Sequence, residues 1–213
     1  FENTKVWSGS EMNPLNEALP LKDWSIKTND ENAIFPSDIS LNNTQLLSYK
    51  DYQYKIDKLL NGVVVTSYTD ADKPKIVTSI NPYITTSKDF QKDIKTVHTV
   101  VRYNSIYLPE KSTTNINDGF AINTTELAYN TPNYTVGSNY AIGKPLWKTE
   151  TMQVYGDTKG GKEEYEYNGN LLTKKRTYNR DYNNSNAQYI EERYVYDGFG
   201  NIIQKTVENP YNN

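Results

Sequence analysis

The stretch "RYVYDGFGNIIQKTVE" (residues 193–208) has two tyrosines at alternate positions before a glycine-rich break, and an alternation of apolar and polar residues resumes after it. Side chains of a β-strand point alternately to its two faces, so Tyr194 and Tyr196 are expected on one face. Two strand-like runs on either side of a short break are typical of an antiparallel hairpin. The stretch therefore predicts two β-strands joined by a tight turn.

The break between the two runs contains four turn-forming residues. Asp197-Gly198 favours chain reversal, because glycine accepts positive φ and an aspartate side chain hydrogen-bonds to nearby backbone. Gly200-Asn201 offers a second position that tolerates the left-handed conformation. We therefore expect Gly198 to adopt positive φ and Asp197 to bond forward to the turn.

The same pattern occurs a second time in "YEYNGNLLTK", residues 165–174. Tyr167 precedes its counterpart Tyr196 by 29 residues. The repeat-motif positions of this second copy are Tyr165, Tyr167, Asn168, Gly169 and Asn170. Weaker echoes, at intervals of 27–37 residues, occupy residues 68–79, 103–112 and 140–150. The chain thus contains an irregular internal repeat that is sharpest near its C-terminal end.

The composition favours an ordered, all-β protein. Aromatic residues make up 13% of the chain and tyrosine alone numbers 19, whereas disordered segments are poor in such residues. A lone hairpin is marginal in water, so each unit must pair with the next. We predict consecutive antiparallel β-hairpins that form an extended, curved sheet over residues 65–213, clearest at 163–208. Residues 1–64 are expected to be an irregular lead or the start of the sheet.

Charge, cysteine content and hydropathy exclude several classes of protein and of binding site. The net charge of −3 lacks the basic excess of a nucleic-acid-binding protein, and no apolar run is long enough to span a membrane. The absence of cysteine removes disulfides and zinc–thiolate sites. The chain opens with Phe1 and has no segment typical of a secretion signal, so we expect it to be a piece of a longer polypeptide.

The two clear units resemble the YD repeat, also called the RHS repeat, of bacterial surface and secreted proteins. Related repeats occur in the B and C components of insecticidal toxin complexes and in teneurins. The resemblance is carried by "YEYNGNLLTKK" and above all by "YVYDGFGNIIQKT". The second stretch is similar to the family pattern Tyr-x-Tyr-Asp-x-x-Gly-Asn followed by two apolar positions. The resemblance covers residues 100–213 and extends more weakly over 65–100.

This resemblance implies a non-enzymatic, structural protein that is secreted or displayed on the bacterial cell surface. In the family, the repeats form a β-sheet that spirals into a hollow shell, which encloses a C-terminal toxin or supports adhesion. The expected partners are adjoining repeats of the same polypeptide, and an enclosed toxin or a surface glycan. The chain contains few clear repeats, so we expect it to be one stretch of such a wall.

Residues with catalytic or metal-binding potential are few. His98 is the only histidine and lies in an alternating, strand-like run, which favours a structural role. Asp70 and Asp72 lack the further ligands of a calcium loop, and we interpret them as part of a turn. Gly160-Gly161 is also interpreted as a turn, because no helix follows it to bind phosphate. We therefore predict no catalytic, cofactor or metal site; a hydrolase with dispersed carboxylates is the weakest alternative.

The main alternative function is a carbohydrate-binding or adhesive β-module. Aromatic rings on a sheet can stack against sugars, and Trp147 and Trp24 are the first candidates for such stacking. The competing interpretation is that Trp147 packs between hairpins. The carbohydrate hypothesis predicts a row of exposed aromatic rings on one face.

Overall fold

The computed structural model describes residues 5–13, 19–28, 44–130, 143–178, 182–183 and 187–209. These residues form thirteen β-strands, and every strand pairing is antiparallel where the register is defined. The only helical turns in the described ranges are two short 3₁₀ turns, Lys73–Lys75 and Asn117–Gly119. The prediction of an all-β fold built from consecutive hairpins is confirmed.

The first of two compact units covers the described residues up to Thr99, together with Ile116–Asp118. Its strand order is β1-β2-β3-β5-β6, and β4 pairs with β3 outside this path. The strands are β1 (Lys5–Asn13), β2 (Leu19–Thr28), β3 (Thr44–Leu60), β4 (Val63–Val64), β5 (Ile76–Asp89) and β6 (Ile94–Tyr103).

The second unit covers residues 100–115 and the described residues from Gly119 onward. Its strand order follows the sequence from the end of β6 through β13, so each strand neighbours the next one along the chain. The remaining strands are β7 (Pro109–Ile116), β8 (Ala121–Tyr129), β9 (Pro145–Val154), β10 (Asp157–Asn168), β11 (Leu171–Tyr178), β12 (Tyr189–Tyr196) and β13 (Ile202–Glu208).

Residues 1–64 contain three long strands instead of an irregular lead. β1, β2 and β3 pair in sequence order, which agrees with the alternative expectation that this region starts the sheet. Pro20 obscured the strand pattern, but it is the second residue of β2, where a missing N–H costs least. Pro14 and Pro36 lie outside the described residues.

The two clear repeats form the predicted hairpins. Tyr167 lies opposite Leu172 in the β10–β11 hairpin, and Tyr196 lies opposite Ile202 in the β12–β13 hairpin. In both hairpins the register shifts by one residue immediately before this tyrosine, which marks a β-bulge. The repeat thus includes a bulge at a fixed position as well as a turn.

The turn between β12 and β13 corrects the expected role of Gly198. Gly200, with φ of 87°, takes the left-handed position, whereas Gly198 does not have positive φ. Asp197 bonds forward as expected, since its Oδ1 accepts hydrogen bonds from the N–H groups of Phe199 and Asn201, both at 2.9 Å. The Gly200 N–H closes the turn on the Asp197 carbonyl at 3.1 Å.

Two other turns repeat this geometry. In residues 104–108, the Asn104 side chain replaces Asp197 and accepts from the N–H groups of Ile106 and Leu108, while Tyr107 adopts φ of 60°. The echo at 103–112 is therefore a true copy of the turn. The turn before Pro145 begins at Asn130, so its leading tyrosine is Tyr129. Tyr140, which the sequence pattern suggested for this role, lies outside the described residues.

The sheet has almost no buried apolar core over residues 19–27, 46–130, 143–178, 182–183 and 187–209, for which side-chain burial is defined. Val100 and Ala121 are the only buried apolar residues in these ranges, with exposed fractions of 7% and 6%. Burial of apolar surface normally dominates folding energetics. Here the backbone ladders and the side-chain pairs across neighbouring strands must therefore provide an unusually large share of the stability.

We expect Gly200→Ala to destabilise the protein by about 1 kcal/mol, because alanine at positive φ carries a steric penalty that glycine does not. Gly198→Ala is the matched control, since no atom lies within 4 Å of the added Cβ and its φ is not positive. Its free energy of unfolding should stay within about 0.5 kcal/mol of the wild type. Urea unfolding measures both values; equal losses would contradict the turn assignment.

Candidate functional site

Four tyrosines make the same hydrogen bond. Each donates its hydroxyl to a backbone carbonyl at the start of the preceding neighbouring strand. The pairs are Tyr54 to Pro20 at 2.8 Å, Tyr129 to Pro109 at 3.0 Å, Tyr167 to Pro145 at 3.0 Å and Tyr196 to Leu172 at 2.7 Å. Since each donor and acceptor belong to different hairpins, the bond joins one hairpin to the next.

The register of the tyrosine's own hairpin shifts by one residue at every one of these four positions. The register shifts fall at Gln53/Tyr54, Ala128/Tyr129, Glu166/Tyr167 and Val195/Tyr196. The extra residue is on the paired strand each time, so the bulge bends that strand and not the one that carries the tyrosine. The recurrence indicates that a bulge opposite the tyrosine belongs to the repeat.

In the second unit these bonds form a continuous series, which we call the tyrosine ladder: Tyr129, Tyr167 and Tyr196 with their acceptors Pro109, Pro145 and Leu172. Pro145 lies opposite Tyr129 in its own hairpin and accepts the hydroxyl of Tyr167. Leu172 lies opposite Tyr167 and accepts the hydroxyl of Tyr196. Pro145 and Leu172 therefore each pair with the tyrosine of their own hairpin and accept a hydrogen bond from the tyrosine of the next hairpin.

The other tyrosine of each clear repeat belongs to a cluster with a glutamate and a lysine. Tyr194 donates its hydroxyl to Glu192, two residues earlier on the same strand. The Lys205 ammonium lies 3.2 Å from the Glu192 carboxylate and 5.5 Å from the centre of the Tyr194 ring. The β10–β11 hairpin contains the equivalent cluster, formed by Glu163, Tyr165 and Lys175.

These contacts shift the titration of the tyrosines. The hydrogen bond to Glu192, together with burial, raises the pKa of Tyr194 to about 12. Burial, followed by the bond to Glu163, also raises the pKa of Tyr165. The pKa of Glu192 is lowered by its bond from Tyr194 and by Lys205. The proton therefore stays on the phenol, and the arrangement provides neither a phenolate nucleophile nor a carboxylic acid near neutral pH.

A buried carboxylate lies on the opposite face of β12. Glu191 is 4% exposed and pairs with Arg176 at 2.7 Å and Arg193 at 2.6 Å. Burial opposes ionisation of Glu191, but the hydrogen bonds from both guanidinium groups lower its pKa overall. Because adjacent residues face opposite sides, a slip of β11 against β12 by one residue would separate Arg176 from Glu191, whereas Arg193 is on the same strand as Glu191. The cluster therefore favours one strand alignment.

A groove crosses β8 to β11 on the face that carries Tyr165, and we call it the Gly161 groove. It consists of two hollows of ≈ 580 Å³ and ≈ 180 Å³, and Glu150 and Gly161 line both. By strand register, the lining side chains that share this face are Asn123, Thr125, Lys148, Glu150, Met152, Lys159, Glu163 and Thr177. The groove exists because Gly161 has no side chain in the middle of these rows.

The interpretation of Gly160-Gly161 as a turn was wrong, because both residues lie inside β10. A Cβ on Gly160 would lie 2.4 Å from the Glu150 carbonyl oxygen, so β9 and β10 approach too closely there for any side chain. A Cβ on Gly161 would have no closer neighbour than the Tyr178 carbonyl at 3.6 Å, which is ordinary contact. Gly160 is therefore required by the close approach of the two strands, whereas Gly161 leaves the space that forms the groove.

The two predicted stacking tryptophans are both half-buried. Trp147 lies opposite Glu164 in register, which puts it on the face away from the Gly161 groove. Trp24 lies opposite Tyr49 in the first unit. The more exposed aromatic residues are in turns, such as Phe199 and Tyr155, with exposed fractions of 95% and 85%. Stacking of sugars on either tryptophan stays a prediction.

The other candidate residues have structural contacts. Asp72 accepts a hydrogen bond from the Thr69 hydroxyl at 2.6 Å, and Asp70 pairs with Lys73 at 2.5 Å, so both belong to a local turn. His98 lies in β6, opposite Thr85. Within the described ranges, no group of three or more potential metal ligands comes together.

Sequence reasoning missed the carbonyl acceptors and the groove. Pro109 and Pro145 are the first residues of the strands that follow the turns beginning at Tyr103-Asn104 and Tyr129-Asn130. A proline directly after such a turn was the signal in the sequence that could have identified these two carbonyl acceptors. The groove residues come from four strands, and only the register brings them together. Glycine in a strand interior was the one available indication, because it marks bulges and close backbone approach.

Comparisons with models of known families, with curated proteins and with solved structures give no match to this chain. In the part of the chain that the structure describes, no helix has the length and apolar character needed to cross a membrane.

Removing a ladder hydroxyl should weaken the fold. We expect Tyr167→Phe and Tyr196→Phe each to lower the free energy of unfolding by about 1 kcal/mol, because each removes a hydrogen bond between hairpins. Tyr155→Phe is the control, since this ring lies in an exposed turn. Chemical denaturation checks all three variants. If the control loses as much stability as the ladder variants, the ladder does not join the hairpins.

Stability should fall between pH 10 and pH 12. The folded-state pKa values of Tyr52, Tyr178 and Tyr194 are raised from 10 to about 12, so the unfolded chain loses these protons first and is stabilised relative to the fold as the pH rises. Tyr194→Phe, which removes the titrating group, and Glu192→Gln, which removes its charged partner, should both make this fall shallower. Thermal unfolding across that range measures the slope; slopes identical to the wild type would refute the linkage.

Proposed function

We propose that this chain is a non-enzymatic structural segment of a larger surface or secreted protein of the YD/RHS-repeat type. It builds part of a β-sheet wall that encloses or presents a toxin or adhesive region. The observation that carries this proposal is the repeated tyrosine bond from one hairpin to the strand start of the preceding one. The adjoining repeats of the same polypeptide are the partners that such a wall requires.

The energetics of the hairpins support this role. With almost no buried apolar residues among those of defined burial, one hairpin cannot form a stable unit alone. The ladder and the Arg176–Glu191 ion pair, which joins β11 to β12, form only when hairpins lie side by side. Repeat proteins in which each unit contacts only its neighbours are stabilised in this way.

The last strand supports the same interpretation. In the strand order, β13 has β12 on one side only, and Ile202, Ile203 and Val207 on it are 56%, 64% and 59% exposed. Ile202 is also the counterpart of Leu172, whose carbonyl accepts a tyrosine hydroxyl. Long apolar edges promote pairing with further strands. A following hairpin of the same kind would cover β13 and extend the ladder.

The resemblance in sequence is independent support. Tyr-x-Tyr-Asp with Gly-Asn after two residues is the pattern of the YD repeat, and here it coincides with a hairpin, a bulge and a ladder tyrosine. The longer reading frame that encodes this chain is therefore expected to contain further units of this kind. A secreted or bacterial cell-surface location follows from the same proposal.

The wall proposal predicts that an added repeat will stabilise the chain. A copy of residues 179–208, appended directly after Glu208, supplies a connecting segment and one more hairpin. We expect β13 backbone amides to exchange at least tenfold more slowly, because they would then lie inside the sheet, and the melting temperature to rise. Hydrogen-exchange mass spectrometry measures the first effect.

Two controls sharpen this test. An appended segment with the same composition in scrambled order should leave β13 exchange unchanged. An appended copy with Tyr196→Phe in the copy alone should give a smaller gain, since it lacks the bond to Ile202. If the intact copy folds but leaves β13 exchange unaltered, the hairpins do not form an extendable wall.

A further inference from the structure

We propose that the Gly161 groove is a binding site for a neutral, hydroxyl-rich ligand, namely a short unbranched oligosaccharide. This inference does not depend on the wall function, because it rests on the groove alone. The site lies on side chains of β8 to β11 that neither the tyrosine ladder nor the predicted tryptophans supply.

The shape of the groove suits an extended ligand. Its two hollows adjoin at Glu150 and Gly161 and run across four neighbouring strands. Three interstrand spacings give a length of roughly 14 Å. A ligand lying in it would cross the strand direction, in contact with successive rows of side chains.

The chemistry of the lining favours hydroxyl groups. The Asn123 amide both donates and accepts hydrogen bonds, and the hydroxyls of Thr125 and Thr177 do the same. Two lysines and two glutamates, Lys148, Lys159, Glu150 and Glu163, complete the polar lining. Their charges cancel, so the groove has no net attraction for a polyanion or a polycation.

Two other ligand classes fit less well. An extended peptide binds a sheet by adding a strand at an edge, but β8 to β11 each have a neighbour on both sides. A compact apolar molecule needs a mainly hydrophobic pocket, whereas Met152 is the one large apolar side chain among the lining residues that share this face. Met152 is 47% exposed and offers a surface for the apolar face of a sugar ring.

Gly161 provides a direct way to close the site. Its backbone does not have positive φ, and an added Cβ meets only ordinary contact, so valine can be accommodated in the strand. The valine side chain would occupy the middle of the groove. Gly160 cannot serve as a control, because a side chain there would collide with β9. Thr149→Val is the matched control, since Thr149 lines neither hollow and faces the other side of the same sheet.

The test is an NMR titration of the ¹⁵N-labelled chain with neutral tetrasaccharides of glucose, mannose, galactose and N-acetylglucosamine. We expect saturable shifts of the Asn123, Thr125 and Thr177 amides with at least one of them. Gly161→Val should weaken that binding at least tenfold, and Thr149→Val should leave it unchanged. Trp147→Phe should also leave it unchanged, which separates the groove from stacking on the tryptophan.

The outcomes that overturn the proposal are equally defined. No saturable shift with any tetrasaccharide, or equal affinity in wild type and Gly161→Val, would exclude the groove as a sugar site. Stronger shifts with an oligogalacturonate or with a polar decapeptide would assign a different ligand class. If Gly161→Val fails to fold, Thr177→Val removes one hydroxyl without adding bulk, and unchanged affinity in that variant counts against the site.

Discussion

The bond from a tyrosine hydroxyl to a strand-start carbonyl of the neighbouring hairpin is the interaction on which the rest of the structure depends. Each ring reaches this carbonyl from the position where the register of its own hairpin shifts by one residue. Tyr167 illustrates this, since it lies at the register shift of the β10–β11 hairpin and bonds to the first residue of β9. The same tyrosine thereby links the register of one hairpin to the start of the preceding one.

Charged pairs across neighbouring strands select the strand alignment, a role that a buried apolar core has in most sheets. Glu191, held between Arg176 and Arg193, and the clusters of glutamate, tyrosine and lysine lie on opposite faces of the same strands. Exposed ion pairs contribute little individually, but the burial of Glu191 makes loss of its partners costly. Such pairs specify which residues align, while the backbone ladders supply most of the cohesion.

The sequence allowed the local structure to be predicted better than the contacts between hairpins. Alternating tyrosines and Asp197 predicted the hairpin and the capped turn, because both depend on residues a few positions apart. The acceptor of Tyr196 lies 24 residues earlier, on another hairpin, and no local pattern encodes it. Gly161 was interpreted as a turn because glycine is ambiguous until the register shows what lies beside it. For residues 1–64 the sequence left an irregular lead and the start of the sheet as alternatives, because Pro20 near the beginning of β2 interrupts the strand pattern.

The turn before Pro145 has a consequence for how such a protein can diversify. Asn130 and Lys144 are joined by a backbone hydrogen bond of 2.9 Å, and the Gly143 N–H returns to the Asn130 carbonyl at 3.1 Å. These two bonds reproduce the closure of the five-residue turns at Asn104 and Asp197. Thirteen residues separate Asn130 from Lys144, whereas three separate Asp197 from Asn201. Doubling the length of a closed loop costs only about 0.6 kcal/mol. Evolution, or an engineer grafting an epitope, can therefore exchange the sequence of residues 131–142 while the closure at Asn130 and Lys144 keeps the flanking strands paired.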